Sequence, residues 1–233
     1  MADLSRRAGL LMVGLALAGP TSAQTVINQV RALGGGVTPG DTPGFPVTIS
    51  RPGSYKLTSN LFIGNPVANA IEIVADNVTL NLNGFMVQGP TVCTGTPLVC
   101  TPCCAGDGVV ASARTNVSVL NGTVVGMGGT GITVGAESIV ENMRTLGNGG
   151  NGISVGLNSA VRRSVASRNG VHGMTINAGS LVHGNVATFN NQIGIFVDCP
   201  SNLIANSTVG NGVANLFPSP GDVSCRDEHN WIP

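Results

Sequence analysis

Three side chains with complementary chemistry recur at one spacing in the second half of the chain: Glu141, Arg162 and His183, successive members of a 21-residue period. A carboxylate, a guanidinium and an imidazole titrating near neutrality are parts for abstracting a proton beside the carboxylate of a uronic acid. Arg144 and Arg163 lie close enough in sequence to add positive charge there. The plainer reading is a surface salt bridge with a histidine beside it, contributing well under about 1 kcal/mol. His172 falls in its own column above Asn151 and reads first as a corner residue. Asp107, His172 and Phe196 are secondary candidates if the molecule carries a carbohydrate groove.

These residues meet only if the chain stacks on itself, and the sequence requires that it does. Written in lines of 21 from Gly129, four successive segments align without gaps. Gly131, Gly152, Gly173 and Gly194 share a column, followed by Ile132, Ile153, Met174 and Ile195, and two positions later by Val134, Val155, Ile176 and Val197. Ser138, Ser159, Ser180 and Ser201 form another column, and Asn148, Asn169, Asn190 and Asn211 a further one. Each line holds an apolar-x-apolar triplet, a second apolar position at Val140, Val161, Val182 or Leu203, and a Gly/Asn-rich corner. Alternating apolar residues turn inward from a strand, and Gly and Asn accept the positive φ of a sharp bend. The period is too short for a strand-helix-strand crossover and carries no helical stripe. The strands must therefore stack on their own copies, about 4.8 Å apart. The Asn column then becomes a ladder whose amides bond from coil to coil. The expected fold is all-β, a single-stranded right-handed parallel β-helix with coils of about 21 residues, capped at both ends.

Looser coils precede these four. Gly108 begins one about two residues longer, ending near Gly128, and Asn69 begins another that runs through Val78 to Gly84. Phe45 to Ser50 and Ser54 to Leu61 read as strands around the turn Arg51-Pro52-Gly53. An amphipathic helix at Thr25 to Leu33 is expected to cover the first coil, and Trp231 with the segment after Pro220 the last. A Cys-rich loop at residues 90–106, holding Cys93, Cys100, Cys103 and Cys104, interrupts the pattern and reads as a flap stapled onto the body by disulfides of undetermined connectivity. Zinc is the alternative, since Cys100 and Cys103 have a metal-ligand spacing, but no His lies near, and no metal or cofactor is expected. Cys199 and Cys225, a little over one coil apart, are placed to clamp the last turn.

Composition agrees. Thirty-four glycines, 3% aromatics and 9% charged residues in 233 suit short strands and glycine turns, not helical bundles or disordered tails. A formal net charge of zero argues against nucleic-acid binding. Arg6 and Arg7, the apolar run from Leu10 to Ala18 and the small residues Thr21-Ser22-Ala23 read as a signal peptide over 1–23. That leaves a domain at 24–233 that is exported to the periplasm or outside the cell, with no membrane span after cleavage. Asn-x-Ser/Thr matches at Asn77, Asn116, Asn121 and Asn206 are a by-product of a chain rich in these residues.

The Gly-Ile-x-Val starts, the Asn corners and the run Ala75-Asp76-Asn77-Val78-Thr79-Leu80-Asn81-Leu82-Asn83-Gly84 resemble bacterial right-handed parallel β-helix repeat proteins. The resemblance covers roughly residues 45 to 217. Proteins of that group include pectate lyases, polygalacturonases, mannuronan epimerases and phage tailspikes, so it implies extracellular polysaccharide as the substrate class. It brings no mechanism with it. A pectate lyase gathers acidic residues around calcium, whereas no acidic residue neighbours Asp107 or Asp198 in sequence; the clustered aspartates of a polygalacturonase and the Asp-Pro-His of mannuronan epimerases are missing too. The leading expectation is a noncatalytic surface or periplasmic scaffold that binds glycan, such as an acidic polysaccharide, or a surface protein. A polysaccharide lyase or epimerase acting through Glu141, Arg162 and His183 is the alternative, and a structural adhesin or fibre segment the third reading.

Overall fold

A computed structural model describes residues 24–102, 105–218 and 225–232; the expected signal peptide lies outside them. The described chain winds through about eight turns of a right-handed parallel β-helix. Each full coil has three sides. The first is an eight-stranded parallel sheet containing Val109–Ala111, Ile132–Val134, Ile153–Val155, Met174–Ile176, Ile193–Val197 and Ala214–Pro218. Its register pairs Ile132 with Ile153, Met174 and Ile195 in turn, which are the columns of the sequence repeat. The second side holds Val78–Asn81, Ala160–Arg162, Leu181–His183 and Asn202–Ile204, and the third Met86–Gln88, Val165–Ser167, Val186–Thr188 and Ser207–Val209. The long strands Val117–Val125 and Ile139–Leu146 bend through both sides and join them into one 14-stranded sheet.

Three corner columns produce the bends. Asn116, Glu137, Asn158 and Gly179 occupy the first, Asn121, Asn142, Arg163, Gly184 and Ala205 the second, and Gly126, Gly147, Arg168, Phe189 and Gly210 the third, all with positive φ. Inside, the Ile132, Val134 and Val140 columns are fully or almost fully buried. The third side contributes smaller inward residues, Thr145, Ala166, Ala187 and Thr208.

The Asn ladder is present, with Asn148, Asn169 and Asn190 buried and Asn211 partly exposed at its end. Asn148 Nδ2 donates to Asn169 Oδ1 at 3.0 Å, and the bond repeats from Asn169 to Asn190 and from Asn190 to Asn211 at 2.9 Å. The same amides satisfy main-chain carbonyls, Asn169 Nδ2 reaching Thr145 O at 3.2 Å. The glycine column follows from this: a Cβ on Gly152 would lie 2.7 Å from Asn169 Nδ2 and 2.5 Å from Gly173 O. The buried serines form a second ladder, with Ser138 N–H donating to Ser159 Oγ at 3.1 Å and Ser159 N–H to Ser180 Oγ at 3.1 Å. A third ladder runs through Ser164, Asn185, Asn206 and Asn230. Asn206 is thereby buried, which removes it as a glycan acceptor in the folded protein.

The N-terminal cap departs from expectation. The β-branched run Thr25–Ile27 is a strand paired with Tyr55–Leu57, and the helix begins only at Gln29–Gly34, where Asn28 Oδ1 accepts from Arg31 N–H at 2.8 Å. At the other end Arg226–Glu228 pairs with Asn202–Ile204 and Trp231 O accepts from Thr208 N–H at 3.0 Å. The edge is thus covered by main chain, and the Trp231 indole stays 58% exposed. Cys199 and Cys225 form the disulfide that clamps this end.

The Cys-rich segment is an antiparallel hairpin of Val92–Thr94 and Val99–Thr101, closed by a Cys93–Cys100 disulfide. Cys100 is therefore not available for the Cys100/Cys103 zinc pair. Cys103 and Cys104 lie outside the described residues.

Candidate functional site

The second side places Glu141, Arg162 and His183 in strict register on consecutive coils, outward between the buried Val140, Val161 and Val182 columns and the second corner. Arg162 Nη2 lies 3.4 Å from Glu141 Oε2. Arg163, carried by the corner, ion-pairs with Glu141 Oε1 through its own Nη2, while its Nε donates to Asn142 Oδ1 at 3.1 Å. Both carboxylate oxygens are thus ion-paired with a guanidinium. His183 is next in the column, but no hydrogen bond or ion pair of its imidazole joins it to Arg162 or Glu141 among the described residues. Arg163 arrives through an outer corner ladder in which Asn142 Nδ2 donates to Asn121 Oδ1 at 3.1 Å. Arg144 stands exposed at the start of the third side, across the second corner from Glu141.

The secondary candidates separate into two places. His172 stacks on Phe196 and Phe196 on Phe217, each pair of ring centroids 5.7 Å apart. Ile193 N–H donates to His172 Nδ1 at 3.2 Å, and burial lowers the pKa of the ring. Phe217 was not singled out from sequence, although Phe196 and Phe217 are register partners one coil apart. Asp107 instead serves the main chain: its Oδ1 accepts from Thr130 N–H at 2.6 Å, and its own N–H donates to Asn69 Oδ1 at 2.9 Å. Burial raises its pKa, and the Thr130 bond opposes that rise.

A feature not anticipated from sequence lies along the third corner. The disulfide hairpin rests on it, with Leu98 N–H donating to Asn191 Oδ1 at 3.1 Å and Cys93 Sγ lying 3.3 Å from Gly147 O. Gly170 admits the hairpin, since a Cβ there would sit 3.0 Å from Cys100 Sγ. Cavities of about 330 and 420 Å³ flank it, and Arg168 lines both. The signal available in sequence was the third corner column itself, in which Arg168 and Phe189 stand among glycines. Among the described residues no group of three or more His, Cys, Asp or Glu side chains is arranged to hold a metal ion.

This architecture is that of the parallel β-helix proteins. The chain is similar to the A-module of mannuronan C-5 epimerase AlgE4 from Azotobacter vinelandii (16% identity, TM-score 0.49, 71% of this chain and 50% of that one). It is also similar to a mutant of the periplasmic alginate epimerase AlgG (16%, 0.46, 76% and 44%) and to the Dettilon tailspike protein (12%, 0.49, 79% and 40%). The chain spans half or less of each of these structures. No protein-family model and no curated protein matches the chain.

Proposed function

We propose that the chain is an exported, noncatalytic β-helix scaffold that binds an acidic polysaccharide on its lateral surface. The observation that carries this reading is the charge balance at the second corner: Arg162 and Arg163 both pair with a single carboxylate, Glu141, and Arg144 stands exposed just past the corner, so the corner is left cationic. A polyanion is the complementary partner for such a patch. Engagement of both Glu141 oxygens favours binding over proton abstraction. The Cys93–Cys100 and Cys199–Cys225 disulfides suit an oxidising compartment, in the periplasm or outside the cell. A second reading, a lyase or epimerase acting on uronic-acid polymers, is favoured by the register of Glu141, Arg162 and His183.

The test is calorimetric binding of the purified protein to alginate and pectate, with dextran as neutral control, while ultraviolet absorbance and NMR follow unsaturated or epimerised product. The expected result is binding to a polyuronate that is lost in the Arg162→Ala/Arg163→Ala double variant, without product. Product that disappears in His183→Ala establishes the enzyme instead, and no binding to either polyanion overturns both readings.

A further inference from the structure

The third corner column contains Gly126, Gly147, Arg168, Phe189 and Gly210, all in the left-handed region with φ from 54° to 68°. Glycine takes that conformation freely, whereas Arg and Phe are held there against their preference. Both line the 330 Å³ cavity beneath the tip of the disulfide hairpin, where Thr96, Pro97 and Leu98 form the opposing wall. Arg168 is exposed and its guanidinium makes no hydrogen bond or ion pair among the described residues. The Phe189 ring covers Gly210, where an added Cβ would lie 2.6 Å from Phe189 Cε1, and it remains 55% exposed. Among the described residues neither cavity beside the hairpin is lined by a carboxylate, and Arg168 is the one ionisable side chain common to both.

A cation without a partner among the described residues and an exposed aromatic ring lining one cleft recognise a particular chemistry. The guanidinium suits a carboxylate and the ring suits the apolar face of a pyranose, while the Asn190 and Asn191 amides are taken up by the ladder and the hairpin and form the floor of the cleft. The volume falls at the lower end of the roughly 300–1,000 Å³ of ligand sites, the scale of one or two sugar rings. We propose that the cleft between the Cys93–Cys100 hairpin and the Arg168–Phe189 corner binds a uronate residue of an acidic polysaccharide, with Arg168 on its carboxylate and Phe189 under its ring. This rests on the polyuronate-binding reading and gives it a site distinct from the Arg162/Arg163 corner. The hairpin is an insertion in the repeat, so the site is this chain's own addition to its solenoid.

The left-handed backbone makes the test clean, because glycine suits positions 168 and 189. Arg168→Gly and Phe189→Gly are expected to fold, which thermal melts verify. Titration calorimetry with galacturonate oligosaccharides should then show affinity reduced by about tenfold or more in each variant. Methyl-esterified oligosaccharide should bind wild type and Arg168→Gly equally weakly. If wild type binds the free acid and Arg168→Gly binds it within about twofold, the cleft assignment is overturned while polyuronate binding stands. If wild type binds no acidic oligosaccharide or polymer, both fall.

Discussion

A single proton on His172 has a structural consequence. Its Nδ1 accepts the Ile193 N–H, so the neutral ring carries its proton on Nε2, and a second proton displaces that bond. Burial holds the folded-state pKa below the ordinary value of 6.5. A depressed histidine contributes stability that is fully present above the unfolded value and is lost as pH falls through the folded one. The melting temperature of wild type should therefore drop on the acid side by more than that of His172→Phe, which keeps a ring against Phe196 and cannot titrate. Parallel acid-side curves for the two proteins refute this. At this scale the sequence was informative wherever a residue kept its place in the repeat: Glu141 and Arg162 fall together because their columns coincide. It marked Arg168 only as a non-glycine in a glycine column, because the surroundings of that residue come from a hairpin that breaks the period and whose wall residues lie some seventy positions earlier in the chain.

At the scale of elements, the ladders hold the coils in register. Asn169 Oδ1 accepts from the main-chain N–H of Asn148 at 3.2 Å and from its Nδ2 at 3.0 Å, and its own amide reaches Thr145 O and Asn190 Oδ1. Asn169→Ala leaves these buried groups without partners, at an expected cost of about 2–4 kcal/mol. Urea unfolding should show a lower midpoint at unchanged slope, and a shift worth less than about 0.5 kcal/mol counts against the ladder as a source of stability. This ladder was legible because its column is Asn in every line. The third ladder was not, because its column reads Met143, Ser164, Asn185, Asn206 and only its lower half is amide. The third side escaped for a related reason: its inward residues, Thr145, Ala166, Ala187 and Thr208, are small or polar and leave no hydrophobic alternation to read. The Thr25 to Leu33 helix failed at its start because three β-branched residues found a strand partner in Tyr55–Leu57.

The whole molecule is a stack in which each coil bonds to the one before and the one after, so stability is set locally and passed between neighbours. Among the described residues Ala214–Pro218 has a strand partner on one side only, and Cys199–Cys225 ties Arg226–Glu228 back onto the last coil across 26 residues. Cys225→Ser should raise amide hydrogen exchange in residues 202–218 while residues 132–183 keep their protection, a pattern that mass spectrometry resolves by peptide. Uniform loss of protection along the chain contradicts the nearest-neighbour account. The all-β solenoid itself was legible from sequence, since four gapless repeats leave few other ways to bury their apolar columns.

Because every regular coil makes the same three turns through the same corner columns, chain length enters this fold as an integer. Excising residues 153–173 sets Asn148 over Asn190 and Ile132 over Met174, with each rung and corner meeting an equivalent partner; excising any other small number of residues in this region misaligns them. Tandem duplication or loss of whole coils therefore tunes the reach of the molecule in steps of about 4.8 Å, leaving the cross-section untouched.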